Sequence, residues 1–110
     1  MAQVLRKLPL LTDERVLVGA EGGLANVFVY VSEGIEKKTY PLPKKPALMN
    51  QAGCMFEPRV QGILVGQEFL MKNSDPLIPN VRSYSMRNRP FNIAQPPKTP
   101  DRKKTFRRKE

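Results

Sequence analysis

Few residues of this chain are equipped for chemistry. None of its 110 residues is His, so the commonest transition-metal ligand and the usual general acid–base side chain are both missing. The single cysteine, Cys54, has no thiol to pair with inside the chain and no imidazole to activate it as a nucleophile. Cys54 with Met49 and Met55, or with Met71 or Met86, offers thiolate and thioether donors of the kind that suit Cu(I). The ordinary job of such Met residues is to fill gaps in a core. The carboxylates Asp13, Glu14, Glu21, Glu33, Glu36, Glu57, Glu68 and Asp75 show no paired acid–base spacing. Asp75 lies in the corner Asn73-Ser-Asp-Pro76, where its side chain is expected to cap the turn. No residue is nominated as catalytic, and the chain is not expected to be an enzyme.

Charge is the stronger signal. The formal net charge is +9, and from Arg87 onward nine Lys or Arg face only Asp101 and Glu110, so that stretch carries +7 of it. Lys98, Arg102, Lys103, Lys104, Arg107, Arg108 and Lys109 are the candidate contacts for phosphates on a nucleic acid or for an anionic surface. The aromatic residues interleaved with them, Phe91 and Phe106, are few for single-strand binding. A clustered charge of this kind is also what a solvated end looks like, and residues 96–110 are expected to form a basic, disordered tail. The Gly19-Ala-Glu-Gly-Gly23 stretch lacks the Gly-Lys-Ser/Thr and the helix of a phosphate loop, so an ordinary inter-strand turn is expected there.

The elements that must position these residues read as strands. Eleven Pro in 110 residues argue against long helices. Val27-Phe-Val-Tyr-Val31 is all β-branched or aromatic and predicts a strand buried on both faces, or one with Tyr30 at an edge. Short strands are expected at 15–18 and 47–49. The apolar runs 63–65 and 69–71 flank a turn at Gly66-Gln67, and apolar residues resume at Leu77 after the polar corner. The pattern predicts an all-β, antiparallel sandwich core. Residues 1–14 read as a lead-in, 15–95 as the sandwich and 96–110 as the tail.

Four segments, in order, also carry a family resemblance. They are Gly22-Gly-Leu-Ala-Asn-Val-Phe-Val-Tyr-Val31, Gln51-Ala-Gly-Cys-Met-Phe-Glu-Pro-Arg-Val60, Asn73-Ser-Asp-Pro-Leu-Ile-Pro-Asn-Val-Arg82 and Phe91-Asn-Ile-Ala-Gln-Pro96. Together they resemble the cupredoxin-like domain of bacterial methylamine utilisation or plastocyanin-like proteins, over roughly residues 16–106. The resemblance implies a Greek-key β-sandwich, copper-based electron transfer and a periplasmic or secreted location. This chain departs from the family text at several places. Pro79 stands where a His ligand is usual, Arg59 and Arg82 stand where further His are common, and the Cys-Asp-Val-His-Pro-Trp-Met element does not follow. The upstream Cys that commonly accompanies the Cys54 position is also missing.

The expectation is therefore a metal-free or degenerate cupredoxin-like domain, incomplete at its C-terminus, with a structural or binding role. The alternatives are a small basic protein that grips nucleic acid or an anionic surface through its tail, and copper binding through Cys and Met ligands or a partner chain. An incomplete sandwich exposes an edge, which predicts marginal stability and pairing with another chain. No run of about 18 apolar residues is present, which predicts no spanning helix. The first residues lack an apolar core of signal-peptide length, which by itself favours a cytoplasmic chain or an incomplete start and conflicts with the exported location that the resemblance implies.

Overall fold

The computed structural model describes residues 16–35 and 38–110. Among them the protein is all-β with no helix, in six strands: β1 Ala47–Ala52, β2 Met55–Glu57, β3 Glu68–Asn73, β4 Asn80–Arg82, β5 Asn92–Ala94 and β6 Arg102–Thr105. No helix of the described residues is long and apolar enough to cross a membrane.

β3 is the organising strand. Its residues alternate in exposure, with Phe69 and Met71 turned inward and Glu68 and Lys72 outward, the period of two that a half-buried strand requires. It lies inside a mixed four-stranded sheet of order β2-β1-β3-β6. β1 pairs with β3 in parallel, Ala47 opposite Phe69 and Met49 opposite Met71. Parallel neighbours need a crossover, and here the chain makes it through β2 and the loop that follows. β4 and β5 form a second, two-stranded antiparallel sheet, with Val81 opposite Ile93. The two sheets share one small core. Met71 (1 % exposed), Phe69 (6 %) and Val81 (8 %) form its centre, with Ala47, Met49, Ile63, Phe91, Ile93 and Phe106 packed around them. The result is sandwich-like, with side chains of both layers meeting between the sheets.

Several expectations are met here: the 47–49 strand lies inside β1 and the 69–71 run inside β3. Others need correction. Residues 96–110 do not behave as a disordered tail, because they contain β6, which pairs antiparallel with β3 from Glu68↔Thr105 to Met71↔Arg102. The hydrogen bonds of a strand come from its backbone, so a run of charged side chains does not prevent it from taking a sheet edge. Val27-Phe-Val-Tyr-Val31 forms no strand and is not buried: its five residues are between 52 and 87 % exposed. Intrinsic β-propensity does not make a strand without a neighbour to pair with and a face to bury. Phe28 is the residue of this run that packs closely. Its ring covers Gly62, where an added Cβ would lie 2.5 Å from a ring carbon, and it stacks with Tyr30 at 6.1 Å between centroids. Of the 15–18 strand, Arg15 and the lead-in 1–14 lie outside the described residues. Val18 makes a single bridge to Leu24, closed by the turn in which Gly19 N–H donates to Gly23 O at 2.8 Å. Residues 63–65 are a loop, in which Leu64 N–H donates to Gln67 Oε1.

The corner after β3 is a polar knot. Asn73 Oδ1 accepts from Asp75 N–H at 2.9 Å, so Asn73 caps the corner and not Asp75. Asp75 reaches back to the hairpin between β1 and β2 and accepts from Gly53 N–H and Cys54 N–H, each at 2.8 Å, and from Gln51 Nε2 at 3.2 Å. Asn73 Nδ2 donates to Leu77 O and Gln95 O, and the buried Gln95 donates through Nε2 to Met71 O at 2.6 Å. Every buried side-chain polar atom among the described residues has a hydrogen-bond partner, as a low-dielectric interior demands.

Candidate functional site

β6 places the basic residues of the C-terminal stretch by strand alternation. Lys104 opposes Phe69 and Arg102 opposes Met71, on the face that holds the core, while Lys103 opposes Leu70 on the other face. Lys103 there forms an exposed ion pair with Glu68 at 3.2 Å, an arrangement that contributes less than about 1 kcal/mol. Lys104 lies over the ring of Phe91, its Nζ 5.2 Å from the centroid, a cation–π contact that holds the stem against the aromatic face. Phe106 tilts against Phe69 at 5.8 Å, and its carbonyl accepts from Gly66 N–H, which fixes the chain as it leaves β6.

The other wall is the connection between β4 and β5. It is pinned at its base by Ser83, whose N–H donates to Phe91 O and whose Oγ accepts from Phe91 N–H. Asn88 then ties this connection to the residues after β6. Its Oδ1 accepts from Arg107 N–H at 2.8 Å and Arg108 N–H at 2.9 Å, and its Nδ2 donates to Arg108 O at 2.8 Å. Between the two walls lies a groove of about 970 Å³ lined by Arg87, Arg89, Lys104, Arg107 and Arg108, with Phe91, Ile93 and Phe106 supplying its apolar surface. A smaller hollow of about 470 Å³, lined by Arg82, Tyr84 and Ser85, shares Pro90, Phe91 and Asn92 with it. Arg82 stacks over Tyr84 at 4.9 Å, and that ring is 78 % exposed.

One anion already sits at the groove's end. The Glu110 carboxylate accepts from Ser85 Oγ, from Asn88 Nδ2 at 2.9 Å, and from the backbone N–H groups of Met86 at 2.8 Å and Arg87 at 3.1 Å. These bonds, led by Ser85 and Asn88, hold its pKa down at about 2. A depressed carboxylate pKa makes the contact favour the folded arrangement above about 4.5 and weakens it as pH falls toward about 2.

Of the basic residues named from sequence, the groove gathers Lys104, Arg107 and Arg108. Lys103 is drawn to Glu68, and Arg102 and Lys98 are exposed and do not line it. Lys109 contributes its carbonyl, which accepts from Arg87 Nη1 at 3.5 Å. Sequence reasoning missed Arg82, Tyr84, Arg87, Asn88 and Arg89 as site residues. The alternation of basic and aromatic residues in Arg82-Ser-Tyr-Ser-Met-Arg87-Asn-Arg89 was the available signal. Of the soft donors, Met49 lies opposite Met71 on the core face, and the others are placed elsewhere. Met49 shares the core face with Gln51, whereas Met55 opposes Ala52 on the other face, Cys54 occupies the hairpin turn and Met86 is 94 % exposed. No group of three or more His, Cys, Asp or Glu among the described residues is placed to hold a metal ion.

No family model, no curated protein and no solved structure matches this chain.

Proposed function

We propose that the chain is a non-catalytic binding domain and that its groove takes a single strand of nucleic acid. The observation that carries this reading is the convergence of Arg87, Arg89, Lys104, Arg107 and Arg108 on one apolar-floored groove that runs on to an exposed Tyr84 beside Arg82. Cations along a groove neutralise successive phosphates and release their counterions. An exposed aromatic ring offers a face to any base, which gives affinity without sequence preference. A flat anionic surface would use the charges but would leave both the concavity and the ring idle.

About five phosphate contacts predict a log–log salt slope near −3.5, so affinity for an oligothymidine should fall roughly 100-fold between about 50 and 200 mM salt. Tyr84→Ala should weaken binding by about 5- to 100-fold with that slope unchanged, since it removes stacking and no charge. Fluorescence anisotropy reads both. No binding at the lowest salt would remove the reading, and binding to anionic vesicles without binding to the oligonucleotide would transfer it to a membrane surface.

The scaffold reading remains a cupredoxin-like sandwich without a copper centre. What supports it is that three of the segments carrying the resemblance meet in one network: Asp75 holds the Gly53-Cys54 turn, and Asn73 and Gln95 join the third segment to β3. The residues present do not fit copper. Pro79 has no donor side chain, and the side chains of Arg59 and Arg82 offer N–H donors and no lone pair for a metal. The family's electron transfer is accordingly not part of the proposal, and copper would require ligands from a partner chain.

A further inference from the structure

The connection between β4 and β5 holds a carboxylate with four converging donors, and the chemistry of those donors does not depend on the carboxylate being Glu110. Oε1 receives Ser85 Oγ and Asn88 Nδ2, while Oε2 receives the successive backbone N–H groups of Met86 and Arg87. Successive N–H groups aimed at one point form an anion nest, and a phosphate presents a pair of oxygens much like those of a carboxylate. The surroundings also favour a stronger anion. Among the described residues the Arg87 guanidinium makes a long 3.5 Å contact to Lys109 O, and the backbone N–H groups of Arg107 and Arg108, from the chain after β6, donate to the adjacent Asn88. Glu110 itself is exposed, so an incoming anion meets no packed layer over it.

We propose that Ser85, Met86, Arg87 and Asn88 form a receptor for one phosphate group at the mouth of the groove, with the Glu110 carboxylate as its displaceable occupant. This rests on the nucleic-acid reading for the identity of the larger ligand. A strand entering the groove exchanges a phosphate for Glu110, and the released carboxylate then repels the next phosphate weakly from outside. Glu110 therefore sets a threshold: weak or transient anions leave it seated, and a polyanion held by the remaining cations displaces it.

The test compares Glu110→Ala with Glu68→Gln, which removes the same single negative charge from the opposite face of β3–β6. In Glu110→Ala, inorganic phosphate should shift the amide resonances of Met86 and Arg87 saturably, and the wild-type chain should need several-fold more phosphate for the same shift. Oligothymidine should bind Glu110→Ala at least about threefold tighter than Glu68→Gln. Unmoved Met86 and Arg87 amides in Glu110→Ala would overturn the receptor, as would equal gains in the two variants, which would reduce Glu110 to net charge. Oligonucleotide binding to neither variant would sink the groove reading alone, because the inorganic phosphate titration still decides the receptor.

Discussion

Asp75 is the side chain through which most of the fold's local order passes. Its carboxylate serves three donors, two of them backbone N–H groups of a turn 21 and 22 residues away. Removing it leaves Gln51 and the hairpin turn with donors in a largely buried place, so Asp75→Ala should cost about 2–4 kcal/mol. Asp75→Asn should recover only part of that, since its amide brings a donor where only acceptors are useful. Breaking the Lys103–Glu68 pair by Lys103→Ala should cost under about 1 kcal/mol, because both partners are exposed. Urea unfolding of the three variants separates them, and equal losses for Asp75→Ala and Lys103→Ala would contradict this account. At this scale the sequence was informative about place and misleading about direction. Asn73-Ser-Asp-Pro76 announces a corner, but nothing local distinguishes Asn73 as its cap from Asp75 as the clasp of another turn.

The hairpin between β1 and β2 turns on two residues, Gly53 at φ 61° and Cys54 at φ 65°. Both lie in the left-handed region that a two-residue hairpin of the primed type requires, which Gly enters freely and Cys does not. Cys54→Gly should therefore be neutral or stabilising by up to about 1 kcal/mol, and Cys54→Val should destabilise by about 1–2 kcal/mol. Thermal melting checks the order of the two, and a stabilising Val would refute it. The same element shows why strands differ in legibility. β1 and β3 carry apolar residues at the positions that face the core, and their pattern was readable. β6 reads Arg-Lys-Lys-Thr and looks like solvated chain, yet the open edge of β3 supplies its backbone partners. The groove's second wall was hidden for a related reason, since side-chain and backbone bonds far apart in sequence, from Ser85, Met86, Arg87 and Asn88, bring 85–88 beside 107–110.

At the scale of the molecule, the core among the described residues is small, with three apolar side chains almost fully buried, each contributing about 1.5–3 kcal/mol. Against that stand Val27-Phe-Val-Tyr-Val31, uncharged, free of Pro and exposed. Such a segment is a template for pairing with another chain. Sedimentation velocity should show association that grows with concentration, and Val29→Lys, at a residue 87 % exposed, should suppress it without lowering the melting temperature. A wild-type chain that stays monomeric at every concentration would exclude the segment as an association site.

The parallel pairing of β1 with β3 predicts an order of events during folding. The β1–β2 hairpin closes over two residues and can form on the microsecond scale. The Asp75 clasp has nothing to grasp until that turn exists, and β6 has no edge to join until β3 has settled beside β1. Each later step closes a longer loop, so assembly should run from the hairpin outward, with the groove completed last. The Glu110 contact and the groove beside it are then the youngest part of the structure at every refolding, absent from any molecule that has not yet seated β6.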